Sequence, residues 1–193
     1  MMRDEVGGGA TNLVPSNRPS DVYNLVALEV TRKLKSKTDD MAKKWLAYGI
    51  DRKICKKPVM CLPYSLTRYS CRQYLEDHVA KELTERGTKH EFGEDLFKST
   101  AYLTPIVWES INDVVVKARD IMDFLKSIAR LVASENLPVC WSTPLNFPVQ
   151  MMCYKKESKR VKTKMGDSIV KLSVASETNV IDKRKTAQSV CPN

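Results

Sequence analysis

The sequence predicts a mainly α-helical fold with a small β part, an α+β protein whose long helices are followed by a basic β-hairpin. Three observations support this prediction. Apolar residues recur at three- and four-residue spacings between residues 20 and 135. Short alternating segments replace that spacing after Pro138. The 193 residues are 42% apolar and 28% charged, which is ordinary globular composition and enough chain to bury a sizeable core.

The first residues, 1–19, are expected to form an irregular lead-in because glycine and proline interrupt them. Ser20 is interpreted as the N-cap of a first helix, which has an apolar side that begins at Tyr23 and ends at Leu34. Three more helices are expected over residues 39–48, 51–62 with Pro58 inside, and 67–86, closed by Gly87.

The longest helix is expected after Pro105. No glycine or proline interrupts the apolar spacing before Pro138, so this helix would reach roughly 40 Å at 1.5 Å per residue. The preceding residues, 88–104, are expected to form a loop with one short helical piece near residues 94–98.

The character of the chain changes after Pro138, where short strands are expected at Val139–Trp141 and Val149–Tyr154. Lys159–Lys164 and Ile169–Val174 alternate around Gly166, which predicts a hairpin. Residues 136–193 therefore form a separate segment with short strands, a basic hairpin over 155–174 and a polar tail.

The charge of the chain indicates an anionic partner. Lysine and arginine number 32 against 23 acidic residues, a net charge of +9, and ten bases and four acids fall after residue 154. No apolar run approaches the ~20 residues that cross a bilayer, so a membrane span is excluded. Six scattered cysteines and two histidines do not match a zinc ribbon or a histidine-rich metal site.

The most informative segment contains Arg52, Lys56, Met60 and Tyr64, which follow one another at four-residue spacing. On a helix, residues four apart lie nearly above one another, so these four would form a slowly winding ridge with a rise of roughly 18 Å. Two cations at one end suit phosphate oxygens, and an aromatic ring at the other end suits a sugar or a base. The spacing therefore suggests a nucleoside triphosphate site.

The same pattern has a plainer interpretation, which the spacing alone favours. Charge runs on helices are usually solvated surface, and Met60 and Tyr64 would then pack into the core. Lysines beside Cys55 and Cys61 would lower a thiol pKa, but no histidine base lies near them in sequence. A cysteine-dependent enzyme is therefore not expected.

The segment resembles the fingers helix of single-subunit, phage-type DNA-directed RNA polymerases, a family that includes the mitochondrial enzymes. That helix has an arginine, three residues, a lysine, seven residues, and then tyrosine and glycine, and Arg52, Lys56 and Tyr64 match it. The likeness extends over nearly all 193 residues, with further matching stretches at Arg3–Gly8 and Val107–Ser110.

The resemblance implies a portion of a right-hand polymerase and a role for individual residues. Arg52 and Lys56 would hold the incoming ribonucleoside triphosphate, and Tyr64 would lie at its base and ribose and help to select ribose. Tyr69 would stack where the downstream DNA separates, and Arg72 would lie near the template backbone. Residues 1–19 would then lead in from the palm, residues 20–135 would form the fingers and palm region, and residues 51–64 would be its nucleotide-binding helix.

The hairpin lies where the family carries its promoter-specificity loop. The resemblance implies that it enters the major groove of promoter DNA with five basic residues: Lys159, Arg160, Lys162, Lys164 and Lys171. Individual base contacts are not assigned, because the loop sequence itself does not match. The implied partners are template and promoter DNA, ribonucleoside triphosphates and nascent RNA, with no membrane, and the implied place is the cytoplasm of an infected bacterial host.

Two departures from the family pattern stand out. Ser65 follows Tyr64 where the family has glycine, and it would crowd the template base or require a different backbone angle. The two palm aspartates that hold Mg²⁺ in the complete enzyme have no counterpart, since Asp4 and Asp182 lack their context. We therefore expect an internal polymerase piece, from a split gene or a truncation, that needs the missing palm segments or a complementary fragment and does not polymerise alone.

Two alternatives remain open from the sequence. The first alternative to an RNA polymerase piece is a non-catalytic basic DNA-binding module. The second is a fragment of a related family A DNA polymerase, which shares the arginine–lysine–tyrosine helix. The Trp45-Leu-Ala-Tyr-Gly lead-in and the basic hairpin argue against the DNA polymerase.

Overall fold

The computed structural model describes residues 4–86, 95–166 and 168–190. Within these ranges the chain forms eight α-helices, one short 3-10 turn and four strands, which confirms the predicted mainly α fold with a small β part. The expected helix end at Gly87 and the expected loop over 88–94 lie outside the described residues. The elements in chain order are α1 (Glu5–Ala10), α2 (Val22–Lys35), α3 (Asp40–Tyr48), α4 (Arg52–Cys61), the 3-10 turn (Leu62–Tyr64), α5 (Arg68–Arg86), α6 (Leu96–Val114), α7 (Val116–Ser134), β1 (Val139–Ser142), β2 (Pro148–Met151), β3 (Tyr154–Met165), β4 (Ser168–Ile181) and α8 (Lys183–Val190).

The chain divides into two compact units, Met1–Ile121 and Met122–Asn193. In the first, α2 packs against α3, α4 and α6, and α5 packs against α4 and α6. Trp45 of α3 is fully buried, and its indole Nε1 donates a hydrogen bond of 3.1 Å to the carbonyl oxygen of Ser99. The expected assignment of segments to palm and fingers stays a prediction.

The orientation of α4 follows from its own sequence. Asp51 caps its N-terminus, because one carboxylate oxygen accepts hydrogen bonds of 3.0 Å from the Lys53 N–H and 3.1 Å from the Ile54 N–H. The apolar side of α4 is buried and includes Pro58, which lies inside the helix without ending it. The opposite side, with its lysines and arginine, faces solvent.

Two expectations for the first residues were wrong. The supposed irregular lead-in contains α1, whose N-cap Asp4 accepts a hydrogen bond of 3.0 Å from the Gly7 N–H. The N-cap of α2 is Asp21 and not Ser20, since the Asp21 carboxylate accepts a hydrogen bond of 3.0 Å from the Tyr23 N–H. Aspartate and serine are similarly good caps, so composition alone did not separate neighbouring candidates.

The expected single long helix after Pro105 is two helices, and the first begins earlier. Leu96 begins α6, within the short helical piece expected near residues 94–98. The helix continues through residues 99–104, expected as loop, and Pro105 lies inside it. The helix ends at Val114, and Val115 leaves the helical region at φ −111° and ψ 59°. Val114, Val115 and Val116 are consecutive β-branched residues, which lose side-chain freedom in a helix and weaken it at that point.

The second unit contains two antiparallel pairs, β1 with β2 and β3 with β4. The hairpin was predicted, and its strands are longer than expected. Two hydrogen bonds hold the base of the hairpin within this unit. The Asp182 N–H donates one of 2.7 Å to the Cys153 carbonyl oxygen, and the Ile181 N–H donates one of 2.7 Å to the Asn136 side-chain oxygen. Ile181 is buried, whereas the tip side chains are exposed. Among the described helices, none combines the length and the apolar character that crossing a bilayer requires.

Candidate functional site

The predicted triphosphate site lies on the exposed side of α4 and the turn that follows it. Arg52, Lys56 and Met60 all project from the solvent side of the helix, and Tyr64 ends the 3-10 turn. Met60 is 49% exposed and Tyr64 is 65% exposed, so the alternative that buries both in the core is wrong. We call Arg52, Lys56, Met60 and Tyr64 the α4 ridge.

Arg52 is at the first position of α4, and its side chain is held at one edge. Its Nε donates to the Asp21 carboxylate at the N-terminus of α2, and its guanidinium carbon lies 5.1 Å from the centre of the Tyr23 ring. About half of the Arg52 side chain stays exposed. The cation is therefore fixed in place and open to solvent.

Lys56 and Lys57 are adjacent in sequence and differ in their surroundings. The ammonium group of Lys57 lies 4.4 Å from the centre of the Tyr74 ring, a cation–π contact. Lys56 is exposed one turn beyond Arg52, and none of the described residues pairs with it. Of these two lysines, Lys56 has the ammonium group that remains available to a ligand.

The residue after Tyr64 shows what the departure from glycine does to the backbone. Ser65 adopts φ 59° and ψ 42°, the left-handed region that favours glycine. Its hydroxyl oxygen is buried and has no hydrogen-bond partner among the residues that the structure describes. Whether this angle differs from that of the family glycine stays a prediction. Whether Ser65 crowds a template base stays a prediction.

Tyr69 and Arg72 lie together on α5, one helical turn apart. Tyr69 is 65% exposed, which suits its expected stacking role. Arg72 is mostly buried, pairs with Glu76 four residues on, and lies with its guanidinium carbon 4.3 Å from the centre of the Phe97 ring. Its expected contact with the template backbone stays a prediction, and that contact requires Glu76 to share or release the guanidinium.

The five basic hairpin residues that are predicted to bind DNA do not share one face. Side chains alternate along a strand, so Arg160, Lys162 and Lys164 lie on one face of β3, and Lys159 lies on the other. The register places Lys171 directly opposite Lys162, on the face that carries Arg160 and Lys164. We call these four residues the basic face. The opposite face carries apolar residues that are about half exposed: Val161, Leu172 and Val174.

Buried cysteines in the first unit do not act as reactive thiols. Burial raises the pKa of the Cys55 thiol to about 12, and nearby charges add to the effect of burial. Burial also raises the pKa of the Cys71 thiol to about 12. The lysines around Cys55 therefore do not lower its pKa, because they project into solvent whereas the thiol packs inward.

The next feature is the arrangement of possible metal ligands in the described part of the chain. No group of three or more histidine, cysteine, aspartate or glutamate side chains there is arranged to hold a metal ion. Asp4 and Asp182, the aspartates weighed from the sequence, both cap helices: Asp4 bonds to the Gly7 N–H, and Asp182 bonds to the Arg184 and Lys185 N–H groups. These residues do not fit a Mg²⁺ pair, and we derive no metal-dependent step from them.

Sequence reasoning missed Asp21 and Tyr23 as neighbours of Arg52. They precede it by 31 and 29 residues, so no local spacing connects them. The sequence could have indicated Asp21 as an acidic residue at the start of a helix. It could not have indicated that Asp21 pairs with Arg52, because that pair depends on the packing of α2 against α4.

Comparison with known proteins places this chain in a family. The model of the DNA-dependent RNA polymerase family matches residues 1–193. The chain is 30% identical over 200 residues to the DNA-directed RNA polymerase of Enterobacteria phage T3, covering 83% of this chain and 22% of that protein. It is 29% identical over 238 residues to T7 RNA polymerase of Escherichia phage T7, covering 100% of this chain and 26% of that protein.

A plant relative shows similar likeness. DNA-directed RNA polymerase 2B, chloroplastic/mitochondrial, of Nicotiana tabacum is 32% identical over 193 residues, covering 96% of this chain and 18% of that protein. The chain thus spans about a quarter or less of these three relatives. These matches confirm the resemblance and decide against a DNA polymerase fragment. The chain belongs to the phage-type DNA-dependent RNA polymerases.

Proposed function

We propose that this chain holds the phosphates of an incoming ribonucleoside triphosphate on the α4 ridge during transcription. A role in transcription follows from the family, and the residue assignments are the proposal. The observation that carries it is the ridge itself, with two cations exposed on one side of α4, whose other side is buried, and an exposed tyrosine at the end of the turn that follows. Arginine and lysine bind phosphate oxygens through charge-assisted hydrogen bonds.

The chemical step is not assigned to the described residues. Nucleotide transfer by two metal ions needs carboxylates that hold them, and the Asp4 and Asp182 carboxylates are engaged as helix caps. We propose that the complete enzyme uses Mg²⁺ held by other palm segments and that this chain supplies binding surfaces. Isolated, it then binds triphosphate without making RNA, and transcript synthesis by the purified chain would contradict this part of the proposal.

A second surface is proposed for nucleic acid, on the basic face of the hairpin. Lys162 and Lys171 lie directly opposite each other, and like charges in such a pair repel. Arg160 and Lys164 add two charges to the same face, whose described residues from Ser158 to Lys164 and from Ile169 to Ala175 include no acidic residue. A polyanion relieves this repulsion, so template or promoter DNA is the expected ligand, with nascent RNA as a further partner.

We propose the cytoplasm of an infected bacterial host as the place of action. The plant relative is named chloroplastic/mitochondrial.

The test of the nucleotide proposal compares two neighbouring lysines. Lys56→Ala removes the lysine of the ridge whose ammonium group is available to a ligand. Lys57→Ala also removes one positive charge, but from the lysine whose ammonium group contacts the Tyr74 ring. We expect Lys56→Ala to weaken binding of GTP about tenfold, near 1.4 kcal/mol, and Lys57→Ala to weaken it much less. Equilibrium titration of the purified chain with a fluorescent GTP analogue measures both. Equal losses would show that only the general positive charge matters, and the ridge assignment would be abandoned.

A further inference from the structure

We infer that Asp21 and Tyr23 are positioning residues, which hold the Arg52 guanidinium so that its two terminal amino groups face a triphosphate. This inference rests on the proposed function of the α4 ridge. The two residues come from α2 and its N-terminus, and Arg52 comes from α4, so the packing of these helices creates the arrangement.

The first support is which atoms of Arg52 are engaged. Asp21 accepts from Nε alone, and the guanidinium carbon lies over the Tyr23 ring, 5.1 Å from the ring centre. The terminal amino groups Nη1 and Nη2 have no hydrogen-bond partner among the described residues. A planar guanidinium held by a carboxylate at Nε and by an aromatic ring presents its terminal amino groups in a fixed direction. Two parallel N–H groups on that edge match two phosphate oxygens.

The second support is that Asp21 is itself held rigidly. Its other carboxylate oxygen accepts from the Tyr23 N–H at 3.0 Å. The preceding loop is fixed by Asn12, whose side chain donates 2.8 Å to the Ser20 carbonyl oxygen and accepts 2.6 Å from the Ser20 N–H. Desolvation raises the pKa of Asp21, but the hydrogen bonds from Arg52 and the Tyr23 N–H outweigh it and lower the pKa overall. The carboxylate is therefore charged at neutral pH.

The third support is space for a ligand. Asp21, Tyr23 and Arg52 line one open cleft of about 500 Å³, together with Asn12 and Ser20. An anion in this cleft meets the Arg52 side chain beside the residues that hold it. Ordering a long side chain before the ligand arrives reduces the entropy lost on binding, which raises affinity.

The experiment asks whether triphosphate binding becomes weaker or tighter when the negative charge of Asp21 is removed. Asp21→Asn keeps a good helix cap and removes one negative charge beside the site. Simple charge repulsion, or competition between Asp21 and phosphate for Arg52, predicts tighter triphosphate binding by this variant. Positioning predicts weaker binding of a fluorescent GTP analogue to the purified chain, by about fivefold. Asp182→Asn is the matched control, since it makes the same change at another N-cap whose carboxylate bonds only to backbone N–H groups.

The dependence on Arg52 separates positioning from general damage to the fold. In an Arg52→Ala background, Asp21→Asn is expected to change affinity no further, whereas a structural loss would persist. Tyr23→Leu is expected to weaken binding and Tyr23→Phe to preserve it, because phenylalanine keeps the ring face; this pair decides the matter if Asp21→Asn does not fold. Unchanged or tighter binding by Asp21→Asn, or equal binding by the two Tyr23 variants, overturns the inference. If Arg52→Ala itself leaves affinity unchanged, the proposed function fails as well.

Discussion

The α4 ridge and the basic face of the hairpin both present clustered cations, but the structure supports them in different ways. The ridge is one side of a helix whose other side is buried, and Arg52 has a carboxylate and a ring to hold it. The hairpin is a two-stranded ribbon that is secured at its base and exposed on both faces toward its tip.

This difference in support corresponds to a difference in the ligand expected. A fixed set of donors selects for geometry, which suits a small triphosphate. A row of exposed lysines on a ribbon supplies charge without fixed positions, which suits the repeating phosphates of DNA or RNA. An isolated two-stranded hairpin is marginally stable, so a long strand pair rich in lysine is better suited to a surface completed by a partner than to a core.

The largest effect that separates the two regions is on stability. Trp45→Ala removes a fully buried side chain and its hydrogen bond to Ser99, and we expect the free energy of unfolding to fall by about 3–5 kcal/mol. Leu172→Ala in the hairpin, where the side chain is 47% exposed, is expected to lower it by less than ~1 kcal/mol. Urea unfolding followed by circular dichroism at the helical band measures both, and similar losses would show that the hairpin is as firmly packed as the helices.

Packed and exposed cysteines are also expected to differ in how readily their thiols are alkylated. With pKa values of about 12, Cys55 and Cys71 stay protonated at pH 8, whereas Cys140 is exposed. We expect iodoacetamide to modify Cys140 in the native chain and the two buried thiols only after unfolding, as mass spectrometry of the peptides shows.

The same two thiols also make stability depend on pH. Their pKa values are raised in the folded chain, so the unfolded chain loses its thiol protons first as pH rises. Stability is therefore full below about pH 8.5 and falls as pH rises from there toward 12. A Cys55→Ala variant whose stability falls just as steeply over this range would exclude Cys55 as a source of the dependence.

The sequence predicted those structural features that are determined within a single helix or turn, and it missed those that depend on contacts between segments. The spacing of Arg52, Lys56 and Met60 is a property of one helix, so their shared exposed side was predictable, and the glycine turn at Gly166 indicated the hairpin. The contacts that hold Arg52 were not predictable, because Asp21 lies next to Arg52 only through the packing of α2 against α4. The break at Val115 was missed because the apolar spacing continues across it, and that spacing does not reveal that three consecutive valines weaken a helix.

Salt dependence of DNA binding sharpens the comparison within the hairpin. Lys162→Ala removes a charge from the basic face, and Lys159→Ala removes one from the opposite face. We expect the slope of log affinity against log salt concentration to become shallower by about 0.9 for Lys162→Ala, the value for one lost phosphate contact, and by much less for Lys159→Ala. Titration of a short duplex between about 50 and 200 mM salt tests this. Equal slopes for the two variants would assign DNA binding to both faces.

The smallest effect compares two turns with the same backbone angle. Ser65 and Gly166 both have φ 59°, but the ridge has serine there and the hairpin has glycine. Ser65→Gly is expected to raise the free energy of unfolding by about 1 kcal/mol, because glycine adopts this region without strain and the buried hydroxyl that lacks a partner is removed. Gly166→Ser is expected to lower it by a similar amount.

A third variant at position 65 separates the backbone angle from the hydroxyl. Ser65→Ala keeps the strained angle and removes the buried oxygen, so it is expected to recover only the part of the gain that belongs to the hydroxyl. If Ser65→Gly stabilises no more than Ser65→Ala in urea unfolding, the angle is not strained. If Ser65→Gly lowers stability, the serine hydroxyl has a partner after all. Either result would remove the reason to connect this departure from the family glycine with the shape of the turn that presents Tyr64.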